Sequence, residues 1–394
     1  MSKPIPIWVL CGFLGSGKTT LLRRWQREEA WKDAVWIVHD LSETGIDAEL
    51  LSEEGVSHEA GMLHGRVAAL HGDHARGRLA ESLREMLDQV AALSPPPPAV
   101  FLESTGAARP WPLVKTFKDD ARFELRHFVV TLDALNLHRD YEDGRLLHAD
   151  RRPGDPGLAH AAGVLVEQLA FANVMVLTKT DTLDKRVVEA QVAILQALNP
   201  SAAVGLSAHA GLLPGHLDGL PAPRVAVLEK LAGRLGLAGD EATLGGVDCT
   251  VFRDPRPFHP RRLYDACRSK MTTGLYRTKG FLWMASRPGQ VLLWQQSGSQ
   301  IALEWTGIWR AEIAANRDGR LLPEEIELLS TRLASADPVF GDRHNELTLI
   351  GLRPAREAFE KALVGALCTA EEIAAWQRGE AFDDPWPQSL RRIS

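Results

Sequence analysis

Gly12-Phe13-Leu14-Gly15-Ser16-Gly17-Lys18-Thr19 fits the pattern G-x-x-x-x-G-K-[ST]. The apolar run Ile7-Trp8-Val9-Leu10-Cys11 precedes it. Residues 19–29 after it have helical spacing, with Leu21, Leu22 and Trp25 on one face. A strand that breaks into glycines and restarts as a helix lets the backbone curl round a phosphate, with successive N–H groups pointing inward. The helix adds the positive end of its dipole. In that setting Lys18 reaches the β- and γ-phosphates as a point charge, and the Thr19 hydroxyl ligates Mg2+. Gly12, Gly15, Ser16, Gly17, Lys18, Thr19 and Thr20 are therefore expected to bind a nucleoside triphosphate. Average residue usage yields the pattern by chance about once in a hundred chains of this length, and the flanking strand and helix make chance rarer still.

Two further pieces of such a site lie downstream. Leu102-Glu103-Ser104-Thr105-Gly106 ends the apolar run 99–102 with a carboxylate placed to hold Mg2+ or its water, and Gly106 joins the nucleotide site with it. Val176-Leu177-Thr178-Lys179-Thr180-Asp181 ends another apolar run with T-K-x-D. A carboxylate there accepts two hydrogen bonds from N1 and N2 of guanine. Adenine offers no such pair, so the pattern favours GTP over ATP. Lys179 is expected along the base plane, beside Thr178. The plainer alternatives are a surface turn for Glu103 and the N-cap of a helix before Val187 for Asp181.

Apolar runs without alternation also occur at 35–38 and 128–132, with a helical pattern at 79–93 that four prolines stop. Such strands are covered on both faces, so the first half reads as α/β, a P-loop NTPase domain with a mostly parallel sheet. Residues 139–160 read as a charged, Gly-rich surface excursion, and 220–245 as a linker with a short helix at 225–235. Beyond it, strands at 246–252, 275–284, 290–296 and 301–305 are broken by Arg287-Pro288-Gly289 and Ser297-Gly298, a hairpin pattern. Helices are expected at 260–271, 323–334 and 355–367, with a strand at 346–352. The domains are thus expected at 1–219 and 246–394, the second a smaller α+β unit with Trp283, Trp294, Trp305 and Trp309 in its core.

The chain has 394 residues, enough for two domains, and its 45% apolar and 24% charged content suits a globular protein. A net charge of −6 excludes a general grip on nucleic acid or anionic membrane. Cys11, Cys249, Cys267 and Cys368 stand at least 18 residues apart, which excludes a C-x-x-C zinc pattern and a disulfide framework. A reduced, cytoplasmic setting follows. The first apolar segment stops at Gly12, too early for a signal peptide. No apolar run approaches the roughly 20 residues that span a bilayer.

The ordered motifs resemble one family, the CobW-type metal-chaperone GTPases, also called the CobW/nitrile-hydratase-activator group. Glu103-Ser104-Thr105-Gly106 resembles its E-T/S-T-G, and Val38-His39-Asp40-Leu41-Ser42-Glu43-Thr44-Gly45-Ile46-Asp47 its V-N-E-F-G-E-x-G-I-D. Glu167-Gln168-Leu169-Ala170-Phe171-Ala172-Asn173 is similar to its Q-I-A-x-A-D, and Thr178-Lys179-Thr180-Asp181 stands where it has N-K-T-D. Leu198-Asn199-Pro200-Ser201-Ala202 resembles its L-N-P-x-A. In the second half, Arg256-Pro257-Phe258-His259-Pro260-Arg261-Arg262-Leu263 and Arg277-Thr278-Lys279-Gly280-Phe281-Leu282-Trp283 resemble segments of the CobW C-terminal domain. Gly341-Asp342-Arg343 with Glu346-Leu347 and Ile350-Gly351 continues the series.

The resemblance implies a GTPase whose nucleotide state controls delivery of a transition metal, Zn2+ or Co2+, to a client apo-metalloprotein or other protein partner. It implies GTP and Mg2+ as cofactors, and the chain as monomer or homodimer. Loss of the γ-phosphate would release the segment 39–47 as a switch, with Asp40 or Glu43 orienting the attacking water. The family holds its metal through C-x-C-C, and the matching stretch here, Gly61-Met62-Leu63-His64-Gly65, has none of those cysteines. His64, His71 and His74 are close in sequence. His71-x-x-His74 would put both rings on one face of a helix, and a His/carboxylate set accepts Zn2+, Ni2+ or Co2+. Histidines beside Gly and Asp are more often solvated loop residues. Two alternatives share the phosphate loop: a GTPase switch that regulates a protein partner without metal, and a P-loop phosphotransferase.

Overall fold

The computed structural model describes residues 3–40, 63–64, 67–71, 79–147, 154–234, 247–315, 323–334 and 336–392. The chain divides between Val247 and Asp248 into two units.

The first unit is built on an eight-stranded sheet. Its strands are β1 (Ile5–Gly12), β2 (Val35–Asp40), β3 (Leu63–His64), β4 (Val67–His71), β5 (Val100–Glu103), β6 (Phe123–Asp133), β7 (Val174–Thr178) and β8 (Ala203–Ser207). The order is β3-β4-β2-β5-β1-β6-β7-β8. Seven strands run parallel, and β3 pairs antiparallel with β4 at one edge. The helices are α1 (Lys18–Gln26), α2 (Leu79–Ala91), α3 (Pro110–Phe117), α4 (Ala134–Asp140), α5 (Pro156–Phe171), α6 (Lys185–Leu198) and α7 (Val225–Arg234).

The central strands bury both faces, which is why they read as unbroken apolar runs. In β1, Ile7, Val9 and Cys11 enter one core with α2, α3 and α5, while Trp8 and Leu10 enter a second with α1. That second core is aromatic. Trp36 stacks on Phe101 with ring centres 4.4 Å apart and planes 9° from parallel, and Trp8 meets Trp25 edge to face.

Two expectations need correction. Residues 139–160 are not wholly a surface excursion, because Gly144 and Leu147 of a 3₁₀ segment are buried and α5 begins at Pro156. Nor is 220–245 simply a linker. Helix α7 sends Leu228 and Ala232 into the first core, and Pro221 O accepts from Asn173 Nδ2 at 3.0 Å.

The second unit has a six-stranded sheet of β9 (Val247–Asp254), β10 (Leu275–Leu282), β11 (Gln290–Ser297), β12 (Gln300–Ile308), β13 (Asn345–Leu352) and β14 (Arg391–Arg392), in the order β14-β12-β11-β10-β13-β9. Strands β10 to β13 pair antiparallel, and β14 lies parallel to β12. Helices α8 (Pro260–Lys270), α9 (Arg310–Ala315), α10 (Pro323–Leu333), α11 (Arg353–Ala366) and α12 (Ala370–Gln377) complete it. Trp283, Trp294 and Trp309 are buried as expected, and Trp305 is half-buried. The Arg343 guanidinium lies over the rings of Trp283 and Trp376, at 5.7 Å and 5.8 Å from their centres.

Candidate functional site

The parallel sheet ends its strands on one edge, the place where open α/β sheets bind ligands. Strand β1 breaks at Gly12, whose φ is 143°. A Cβ there would lie 2.3 Å from Thr131 Oγ1 and 2.4 Å from Thr131 O, so β6 leaves room for glycine alone. Gly15 and Gly17 follow with positive φ, and Gly17 is the N-cap of α1. Ser16 Oγ and Thr131 Oγ1 share a 2.6 Å hydrogen bond. Thr178 Oγ1 donates to Ser16 O at 2.8 Å and to Leu132 O at 3.0 Å. The loop is therefore braced by the ends of β6 and β7.

Lys18 is buried, and its Nζ donates to Gly12 O at 2.8 Å and Phe13 O at 3.2 Å. Its charge is thus held inside the loop, where the N-terminal end of α1 adds to it. Thr20 is exposed on the same turn. Thr19 Oγ1 donates to Glu103 Oε1 at 2.7 Å, and Glu103 is buried at the end of β5. Two hard oxygen donors within one hydrogen-bond length, on converging elements, fit Mg2+. Beside them Ser104 Oγ donates to Cys11 Sγ at 2.9 Å. Burial pushes the Cys11 thiol up to about 12, so the free thiol stays protonated at neutral pH.

At the other side of the edge, Lys179 adopts left-handed backbone with φ 55°. Its ammonium pairs with the carboxylate of Asp133, which is buried and also accepts from Leu135 N and Asn136 N at 2.9 Å and 3.2 Å. Asp181 lies in the 3₁₀ turn Thr180–Thr182, with 32% of its side chain exposed and His209 Nε2 at 3.5 Å from its carboxylate. The cap position of α6 is taken by Asp184, so Asp181 does not cap it.

The structure thus brings together Gly12, Gly15, Ser16, Gly17, Lys18, Thr19 and Glu103, with Gly106 against Leu14 and Thr178 against Ser16. Asp40 ends β2, and its register partner on β4 is His71. His64 lies on β3. The side chains of Asp40, His64 and His71 lie outside the described residues, as do Glu43 and His74. The helical i, i+3 spacing proposed for His71 and His74 is corrected at its first member, because His71 belongs to a strand. Among the described residues no three His, Cys, Asp or Glu side chains form a metal-binding group.

Thr131, Asp133 and His209 were not foreseen, and Gln168 stood out only as the glutamine of the stretch that resembles Q-I-A-x-A-D. Asp133 carried a readable signal, a carboxylate closing an apolar strand, as Glu103 closes β5. His209 carried none, and the motif that marked Gln168 gave no hint of its bonds, because their partners are distant in sequence.

Residues 6–205 match the family of the CobW/HypB/UreG nucleotide-binding domain, and residues 247–367 that of the cobalamin synthesis protein cobW C-terminal domain. A Dictyostelium discoideum protein named zinc-regulated GTPase metalloprotein activator 1 is 27% identical over 395 residues, covering 94% of this chain and 81% of that protein. A Mycobacterium tuberculosis protein named as a zinc chaperone is 32% identical over 232 residues, 57% of this chain and 54% of its own length. The Zn(II)-bound YjiA GTPase of E. coli aligns over 93% of this chain and 100% of its own, with a TM-score of 0.37 and 18% identity. Among the described residues no helix is long and apolar enough to cross a membrane.

Proposed function

From the premise that this chain belongs to the CobW/HypB/UreG family and carries a CobW C-terminal domain, we propose that it binds and hydrolyses GTP and uses the nucleotide state to control delivery of a transition metal to a client apoprotein. The observation that carries the reading is the convergence of Lys18, Thr19 and Glu103 on one braced loop. Lys18 and the loop amides would bind the phosphates, and Asp181 would select guanine. Thr19 and Glu103 would hold Mg2+, which would supply charge neutralisation for phosphoryl transfer. Asp40 or Glu43 would orient the attacking water. Zn2+ is the cargo that the relatives' names suggest. The client is a protein, and the cytoplasm is the setting.

The test is nucleotide titration and turnover on the full chain. GTP should bind more tightly than ATP, and its terminal phosphate should appear as inorganic phosphate. Equal affinity would remove Asp181 as base reader. Transfer of labelled phosphate to a small acceptor would make the chain a phosphotransferase.

A second reading, a GTPase switch without bound metal, is favoured by one fact: the sequence has no C-x-C-C. Equilibrium dialysis against Zn2+ and Co2+, with and without GTP, separates the two. Metal chaperoning requires stoichiometric metal in at least one nucleotide state, and only a difference in affinity between states lets hydrolysis release it.

A further inference from the structure

The turn after β5 is held from two sides. On one side Gly106 lies against the phosphate loop: a Cβ would be 2.5 Å from Leu14 Cγ and 2.6 Å from Leu14 N. On the other, Gln168 of α5 donates from Nε2 to Gly106 O at 3.3 Å and to Ala108 O at 3.0 Å. Gln168 is 0% exposed, and its Oε1 has no hydrogen-bond partner among the described residues. Only the NH2 end of a carboxamide can meet two carbonyls. A dry amide oxygen costs stability, and an apolar side chain of the same length would fill the space without that cost. Packing alone therefore does not explain the residue, whereas its grip on two carbonyls does.

The surroundings extend that grip. Arg109 Nε pairs with Glu167 Oε2 at 3.2 Å across the same junction, and both side chains are largely buried. Asn199 Nδ2 donates to Leu169 O and Ala172 O at 2.8 Å and 2.9 Å, pinning the end of α5. The chain then enters β7, whose Thr178 is bonded to Ser16 O. The turn 103–106 cannot move relative to the phosphate loop without breaking bonds to a helix that leads into the strand carrying Thr178.

We propose that Gln168 is a positioning residue that holds the turn 103–106, with Gly106 and the Mg2+ carboxylate Glu103, against the phosphate loop, and that through this turn it couples the third phosphate to α5. This rests on the nucleotide reading above. The full-length chain, Gln168→Met and Gln168→Asn are titrated with a non-hydrolysable GTP analogue and with GDP. Methionine keeps the volume and removes the donor. Asparagine keeps the amide one methylene short of both carbonyls. Affinity for the analogue should fall about tenfold while that for GDP stays within about twofold. A bond that merely supports the fold would weaken both together or neither, and either result overturns the proposal. Should neither variant fold, the wild type carries the test. The analogue in place of GDP should slow amide exchange across 104–108 and 163–169 together, and slowing confined to 104–108 overturns the coupling. A wild type that binds neither nucleotide defeats the underlying reading instead, an outcome distinct from variants that keep the wild-type preference.

Discussion

Lys18 and Asp181 act on opposite ends of the same ligand, so their variants should fail differently. The Lys18 ammonium sits within the loop on Gly12 O and Phe13 O. Replacing it removes a charge-assisted contact to phosphate and leaves the base end intact. Lys18→Ala should weaken GTP and ATP alike, by about a hundredfold or more. Asp181→Asn keeps the shape and loses an acceptor. It should cut the ratio of GTP to ATP affinity by about tenfold to a hundredfold and leave ATP almost unchanged. Calorimetric titration of both nucleotides with both variants checks the pair. A uniform loss in Asp181→Asn would assign that carboxylate to the fold, not to guanine.

Strand β6 carries a titration that bears on stability. His127 is fully buried, with its ring 4.4 Å from that of Trp8 and its Nδ1 3.0 Å from Asn173 Nδ2. Burial first, and then the charge of Arg126, lower its pKa to about 4, while Asp218 opposes them. The unfolded chain regains an ordinary histidine near 6.5. Between those two values the unfolded state holds a proton that the folded state lacks, so stability is full above the window and is lost as pH falls through it, by up to about 3 kcal/mol. Urea unfolding at pH 6.5 and 4.5 should show a steeper loss in the wild type than in His127→Gln. Equal losses would put the titration elsewhere.

The same strand shows what was legible. Its apolar stretch announced a buried strand, and the phosphate loop announced its place between strand and helix, because both are properties of neighbouring residues. The bracing of that loop by Thr131 and Thr178, and of Gly106 by Gln168, is between residues 62 to 162 apart in sequence. No local pattern encodes such a contact. Helix α5 was half-hidden for a local reason: Gly157 and Gly163 interrupt its pattern just after a charged, Gly-rich stretch.

Taken as a whole, the first unit needs α7 to close its core. The composition of 220–245 suggested a linker because prolines and glycines dominate its ends. Yet Leu228 and Ala232 are buried in the core, Val225 and Leu231 pack against it, and Glu229 pairs with Lys118 of the segment after α3. The ion pair is exposed at Glu229 and contributes little. The apolar contacts do more, since a fully buried leucine alone is worth about 1.5–3 kcal/mol. Cutting the chain after residue 219 would uncover that patch, whereas cutting after Val247 follows the division between the two units. A fragment 1–247 should therefore unfold cooperatively and bind guanine nucleotide with the affinity of the full chain. A fragment 1–219 should unfold at lower urea concentration, by about 2–5 kcal/mol of lost stability, and aggregate through the exposed patch. Urea midpoints for the two fragments decide the matter. Equal midpoints would show that α7 merely rests on the surface, and that the sequence-based boundary at 219 was the better place to end the domain.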